Sequence, residues 1–492
     1  GPLLSESQQR EMEALQALIQ QARGQKFLGQ ITQSAETIGK LQAQLRSLGT
    51  GAHLDSIRAQ AEYWMGVQSV NEQDFEGAET SFRASFAIAK KAGDLRTSTD
   101  SSIALMHLLG THGGRTEQAL AMQVYVEADL RVLADPDLLV NYHEQLAAIY
   151  MHAGRYDKAL REHAQVLDRM GTLYEADDPR VATAHFNRGV CLDLLGRLKE
   201  AEIAMSKGRG LIESRLGAEN PDYASMQRGL ALLAYKQGRL PEAEELALSS
   251  LTIRERSLGP QHPTIAESVE ILAAIAKQRG DWPRAKNFLQ RVFDLRKMRL
   301  QATDERMVAA SVNLAAALAE LGQREEAETL LQGVIDEIER EFGVMEFRLV
   351  RALMGLGNLH DVDGGESENA LALYLRALAI TEAKFGASHP RSVDALTMVS
   401  HTLVERERYR EALPLLERCL PLRIAAAEPG DRVAVTKWYL AISLLETGVQ
   451  RKRAASLAKE AVAALRVAPE DSELAAEVAR WIRAKRSEEH TS

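Results

Sequence analysis

The sequence predicts an all-α solenoid, a right-handed superhelix of about ten stacked helix–turn–helix units. Three observations carry that prediction. Turn glycines recur at Gly154, Gly196, Gly238, Gly280 and Gly322, always 42 residues apart. An alanine follows each glycine five positions later, at Ala159, Ala201, Ala243, Ala285 and Ala327, and the series runs on through Ala370, Ala412 and Ala454 with a single one-residue slip. The linkers between units repeat too, as Leu216-Gly217-Ala218-Glu219-Asn220-Pro221, Leu258-Gly259-Pro260-Gln261-His262-Pro263 and Phe385-Gly386-Ala387-Ser388-His389-Pro390.

Each part of the unit has a physical reason. The glycine ends the first helix, where a positive φ lets the last carbonyls find donors. Two positions on, a large apolar residue is expected to wedge between the paired helices: Tyr156, Leu198, Leu240, Trp282 and Tyr409. Arg324 and Ser367 hold that slot in two units and predict looser turns there. Pro241 and Pro283 stand at the start of second helices, where a missing N–H is harmless. The recurring alanine belongs where the two helices cross most closely, so that a larger side chain would push them apart. In the linkers a glycine caps the outgoing helix, Asn, Asp or His takes the N-cap, and proline opens the next helix. Asp177-Asp178-Pro179 is a shorter echo of that pattern. The slip falls in the turn spanning 361–366, where one extra residue costs little.

Around this regular stretch the organisation expected is an N-terminal amphipathic helical hairpin over 3–50 and irregular repeats over 51–135. Regular repeats follow over 136–430, then a last repeat and cap over 431–486 and a disordered tail over 487–492. In the irregular part Phe75 and Ala78 hold the wedge and crossing positions, and Gly114 and Ala119 recur in the next unit. Gly1-Pro2 has the look of a protease-cleavage scar and is set aside.

Composition narrows the function. Hydrophobic residues make up 45% of the chain, enough for a continuous core, and the net charge of −9 argues against a general nucleic-acid binder. Cys191 and Cys419 stand far apart without CxxC spacing and read as small buried residues. No apolar run approaches the ~20 residues of a membrane span, so the reading is a cytoplasmic chain, or a periplasmic one if a membrane span precedes it.

The residues quoted above carry a family resemblance. A small residue inside the first helix, Gly or Tyr at the turn and Ala in the second helix make up the tetratricopeptide pattern. The 42-residue length with LG-x-x-HP linkers resembles the kinesin light chain type of that repeat. The resemblance covers residues ~136 to ~465. The Ala/Leu/Arg-rich series, with irregular early repeats before regular ones, also resembles the C-terminal region of large bacterial serine/threonine kinases.

The resemblance implies a concave groove lined by the first helix of each unit, at fixed positions before the turn glycine. It selects Asn141, Glu144, Gln145 and His152, then Phe186, Asn187 and Asp193, then Arg228, Tyr235 and Lys236. Glu267, Glu270 and Lys277, Asn313 and Glu320, and Asp394, Met398, His401 and Tyr439 follow in later units. In this family an asparagine nine positions before the turn often clamps a bound peptide's backbone. Asn187 and Asn313 match that position and Gln145 comes close, whereas Gly229, Ile271, Leu356 and Met398 depart from it. Taken singly, each of these polar residues reads as well as a solvated face. As a set of mixed charges interleaved with aromatics they resemble a recognition groove for a protein or peptide of mixed charge.

Catalytic patterns are missing from the sequence: it holds no GxSxG, no P-loop, no HExxH and no paired histidines at metal-ligand spacing, and no cofactor is expected. The expected function is therefore a non-enzymatic protein-interaction scaffold. A regulatory repeat region of a larger kinase and a self-association module, through the amphipathic stretches Met12–Ile19 and Phe27–Leu48, stand as alternatives.

Overall fold

The structure, a computed structural model, describes residues 5–27, 31–49, 51–72, 74–112, 114–361, 367–389, 392–425 and 430–465. The one-residue slip at 362–366, the Ser367 side chain, Pro390, the cap beyond 465 and the tail at 487–492 lie outside the described residues. Every regular element described is helical. The chain divides into two compact units, Gly1–Leu246 and Ala247–Ser492.

In the first unit the helices run α1 (Glu6–Phe27), α2 (Ile31–Ser47), α3 (Asp55–Asn71), α4 (Phe75–Ala92), α5 (Leu95–Thr111), α6 (Thr116–Ala121) and α7 (Gln123–Leu133). They continue as α8 (Pro136–His152), α9 (Tyr156–Leu173), α10 (Pro179–Leu194), α11 (Leu198–Leu216) and α12 (Pro221–Lys236). Helix α13 (Leu240–Leu258) contains the division. The second unit holds α14 (Ile265–Gln278), α15 (Trp282–Lys297), α16 (Glu305–Glu320), α17 (Arg324–Phe342) and α18 (Leu349–Asp361). Its remaining helices are α19 (Ser367–Phe385), α20 (Val393–Glu405), α21 (Tyr409–Ala425), α22 (Gly430–Glu446) and α23 (Arg451–Leu465).

The hairpin turns close as the glycine spacing predicts. Gly154, Gly196, Gly238, Gly280 and Gly322 have φ of 69°, 72°, 74°, 71° and 74°. After Gly154 the Arg155 N–H donates back to the Tyr150 carbonyl at 2.8 Å, and the same bond recurs from Arg197 to Leu192 and from Gln323 to Leu318. These bonds satisfy carbonyls that a helix end leaves open. Glu407 takes the same left-handed conformation at the equivalent turn (φ 60°) without being glycine, a strain of about 1 kcal/mol. The crossing alanines Ala78, Ala119, Ala159, Ala201, Ala243, Ala285, Ala327, Ala370, Ala412 and Ala454 are all buried. Tyr156, Leu198, Trp282 and Tyr409 pack partly buried against the cores beside them.

The linkers divide into two kinds. At Asp178 and Asn220 the side chain accepts from the N–H two residues on, both at 2.8 Å, and Pro179 and Pro221 open α10 and α12 as expected. At His262 the outcome differs. Pro263 does not open a helix: Ile265 donates to the His262 carbonyl and Ala266 to the Pro263 carbonyl, making a tight turn, and α14 begins only at Ile265.

The N-terminal hairpin buries Leu15 and Ile19 of α1 and Leu41 and Leu45 of α2 together with Leu54 and Ile57, so its apolar stripe is spent within the chain. The irregular repeat has a physical break: α6 and α7 meet at Met122, and Ala134 ends α7 with φ 48°. Both cysteines are buried, and neither forms a disulfide among the described residues.

Candidate partner-binding faces

In the first unit, the face formed by α3, α5, α8 and α10 carries two adjoining cavities. One, of about 150 Å³, is lined by Tyr63, Val67, Val70 and Asn71 of α3, Phe82 of α4, Asp100, Ile103, Ala104, His107 and Leu108 of α5, and Asn141 and Gln145 of α8. The other, of about 210 Å³, lies between Glu144, Ala148 and Met151 of α8, His163 and Val166 of α9, and Ala184, Asn187 and Val190 of α10. One turn of α8 serves both, with Gln145 facing the first cavity and Glu144 the second.

The α8 geometry follows from its sequence. Asp135 caps the helix by accepting from the Leu138 N–H at 3.0 Å, and Pro136 opens it. Leu138, Tyr142, Leu146 and Ile149 are buried, which turns Asn141, Glu144 and Gln145 toward the cavities. Gln145 Nε2 donates to Asn141 Oδ1 at 3.1 Å, pre-setting both amides.

Burial dominates the electrostatics. It pushes the Asp100 carboxyl up to about 6, against the pull of Arg96, and raises Glu144 and the Tyr63 hydroxyl. It lowers His107 and His163 to about 4, so both rings are neutral at physiological pH. His107 Nδ1 and His163 Nε2 are buried and meet no hydrogen-bond partner among the described residues. Such atoms cost free energy unless a ligand or water reaches them.

The other residues selected from the first unit have varied surroundings. The ring of Phe186 rests on the backbone of α12: a Cβ at Gly229 would stand 2.2 Å from Phe186 Cζ. Phe186 thus packs α10 against α12 beside Arg228 and is only half exposed. Lys236 Nζ pairs with Asp193 Oδ2 at 2.6 Å, joining two of the selected groove residues. Asn187 and Tyr235 are half-buried and make no hydrogen bond with any described residue.

In the second unit, Glu270 is held by Arg296 of α15 at 2.7 Å, and Glu267 by Arg254 at 3.2 Å. Met398 packs against the core from α20, and one turn on the His401 ring lies 4.2 Å from that of Tyr439, centroid to centroid. Burial, with Arg423 nearby, lowers His401 to about 3. Tyr439 donates to Glu405 at 2.9 Å. Lys277 and Asn313 are half-buried, and their polar ends meet no described partner.

The sequence pattern missed Tyr63, Asp100 and His107, because the regular register does not extend to α3 and α5. A local signal was present: Asp100, Ile103, Ala104, His107 and Leu108 fall at i, i+3, i+4, i+7 and i+8, a single helical stripe with polar residues among apolar ones. No group of side chains that could hold a metal occurs among the described residues. No described helix is long and apolar enough to cross a membrane.

Tetratricopeptide repeat families match residues 137–211, 222–298 and 348–425, and again 309–344, together more than half of the chain. The chain is a tetratricopeptide repeat protein. Sequence comparison with curated proteins finds no match. Among solved structures, these repeats resemble the TPR-like repeats assigned to a kinesin light chain of Podosopora anserina (23% identity over 42% of this chain and 98% of that one, TM-score 0.37). They also resemble BtubC (BKLC) from P. vanneervenii (19%, 47% and 92%, TM-score 0.40). The apo form of RapI matches at 10% identity over 76% of this chain and 99% of that one, with a TM-score of 0.50, a likeness of fold.

Proposed function

We propose that this tetratricopeptide repeat protein is a non-enzymatic scaffold whose first-helix faces hold an extended peptide segment of a protein partner. One observation carries the reading. Asn187 and Asn313 occupy the same register, nine residues before a turn glycine, and both present half-buried amides that no described residue engages. An amide supplies both donor and acceptor, which is what a peptide backbone needs. Of the other selected residues, Gln145, Arg228, Tyr235 and Lys236 belong to the first-helix faces of the first unit and Glu270, Lys277, Met398 and His401 to those of the second, a mixture of charge and apolar surface in each, while Phe186 supports its face by packing it.

The test is capture of a partner by the wild-type chain, followed by affinity measurement for Asn187→Ala/Asn313→Ala. Binding is expected to weaken about ten-fold or more with helical circular dichroism unchanged. Equal affinity in the double variant would move the site off these faces. The narrower reading, a regulatory region of a serine/threonine kinase, rests on the order of irregular and regular repeats. An upstream reading frame carrying HRD and DFG motifs supports it, and a frame without them removes it.

A further inference from the structure

The cavity between α3, α5 and α8 is chemically one-sided. Its walls are apolar and aromatic: Tyr63, Val67, Val70, Phe82, Ile103 and Leu108. Beside the Tyr63 hydroxyl and the Asn71 amide, which can donate as well as accept, it carries two acceptors that no described residue hydrogen-bonds. The Asp100 carboxylate, 28% exposed, accepts no hydrogen bond from any described residue. The nearest cationic nitrogen, Arg96 Nε, stands 3.8 Å from it, and that guanidinium is already engaged by Asp135. Two helical turns along the same stripe, ~10 Å away, the buried Nδ1 of neutral His107 is a second unused acceptor when the ring carries its proton on Nε2. At the rim, the Asn141–Gln145 pair leaves one amide group on each residue for a backbone.

We propose that this cavity is a subsite for a basic side chain, arginine or lysine, of a bound peptide, with Asp100 receiving the cation. The proposal rests on the peptide-binding reading of this face and specifies one of its positions. Charge decides the occupant. An ammonium or guanidinium carries donors and no acceptor, and so complements a site whose one charged lining residue is a carboxylate. Tyr63 adds an aromatic wall that favours a cation over an aliphatic chain of equal length. The volume, about 150 Å³, suits a single side chain, whereas pockets for small organic ligands run to ~300 Å³ or more. An acidic residue would meet the Asp100 carboxylate and is disfavoured by the same argument. The backbone then runs along the rim past Asn141 and Gln145, with His107 Nδ1 placed to accept a further N–H.

The experiment uses the full chain and short labelled Ala/Ser peptides that differ only at one central residue: arginine, lysine, norleucine or glutamate. Affinities are read by fluorescence anisotropy up to millimolar protein, for wild type and Asp100→Asn. Wild type is expected to bind the arginine and lysine peptides about ten-fold tighter than the norleucine peptide, with the glutamate peptide weakest. Asp100→Asn is expected to lose that preference, the arginine and lysine peptides falling to the level of the norleucine peptide, with its urea unfolding curve establishing that it folds. Equal binding of norleucine and basic peptides, or a preference that survives in Asp100→Asn, overturns the basic subsite and leaves the peptide-binding face standing. Failure of wild type to bind any of the peptides overturns both.

Discussion

His163 shows how single side chains tie the face to stability. It is 5% exposed, its Nε2 meets no partner among the described residues, and burial lowers its pKa to about 4 against about 6.5 in an unfolded chain. The unfolded state therefore takes up a proton that the folded state refuses. Stability is complete above pH ~6.5 and is lost as pH falls toward 4. Thermal midpoints are expected to drop over that interval, and His163→Gln is expected to flatten the decline. An unchanged pH slope in that variant would show that His107 and His401, which are lowered by the same cause, dominate instead. Residues of this kind were only partly legible beforehand. Asn187 and Asn313 come from the tetratricopeptide resemblance, which implies a clamp asparagine nine residues before a turn glycine. Asp100 and His107 do not, because their significance lies in what α3 and α8 bring to them across more than 30 residues of chain.

The hairpins are held at two levels. Where paired helices cross, the small alanine lets the backbones approach. Ala285, fully buried at the start of α15, is representative. Ala285→Leu is expected to destabilise by about 1–3 kcal/mol in urea unfolding, since a packed crossing cannot absorb three extra carbons without backbone shift. A loss below ~0.5 kcal/mol would mean the crossing is looser than its burial implies. Farther out, successive second helices are stitched by ion pairs 36 to 38 residues apart, including Arg115–Glu79, Arg155–Glu117, Arg291–Glu255, Arg418–Glu382 and Arg453–Glu417. These pairs are partly or largely exposed and screened by solvent, so each adds little to stability. They set register between repeats more than they add stability. Their spacing falls short of the 42-residue repeat because each arginine lies nearer the N-terminal end of its hairpin's second helix than the glutamate it meets lies on the preceding one.

Core continuity distinguishes the two units. In Ala247–Ser492 one buried apolar cluster extends from Ala273 to Leu465. In Gly1–Leu246 the buried residues fall into several smaller clusters, interrupted by buried serines and threonines such as Ser85, Ser98, Thr99 and Ser101. Repeat stability is carried by nearest-neighbour burial, so amide exchange is expected to be slower in α16–α19 than in α5–α7, where the break at Met122 adds a weak point. Exchange rates equal across the two stretches would show that cluster size does not govern local opening here. The repeat length, the turn glycines, the crossing alanines and the all-helical class could be read from the chain alone, because each is a local requirement that recurs with the helical hairpin. The cavity, the placing of Asp100 and His107 in its wall and the late start of α14 could not. They depend on which side chains from separate hairpins meet in space, and on whether those side chains find partners there.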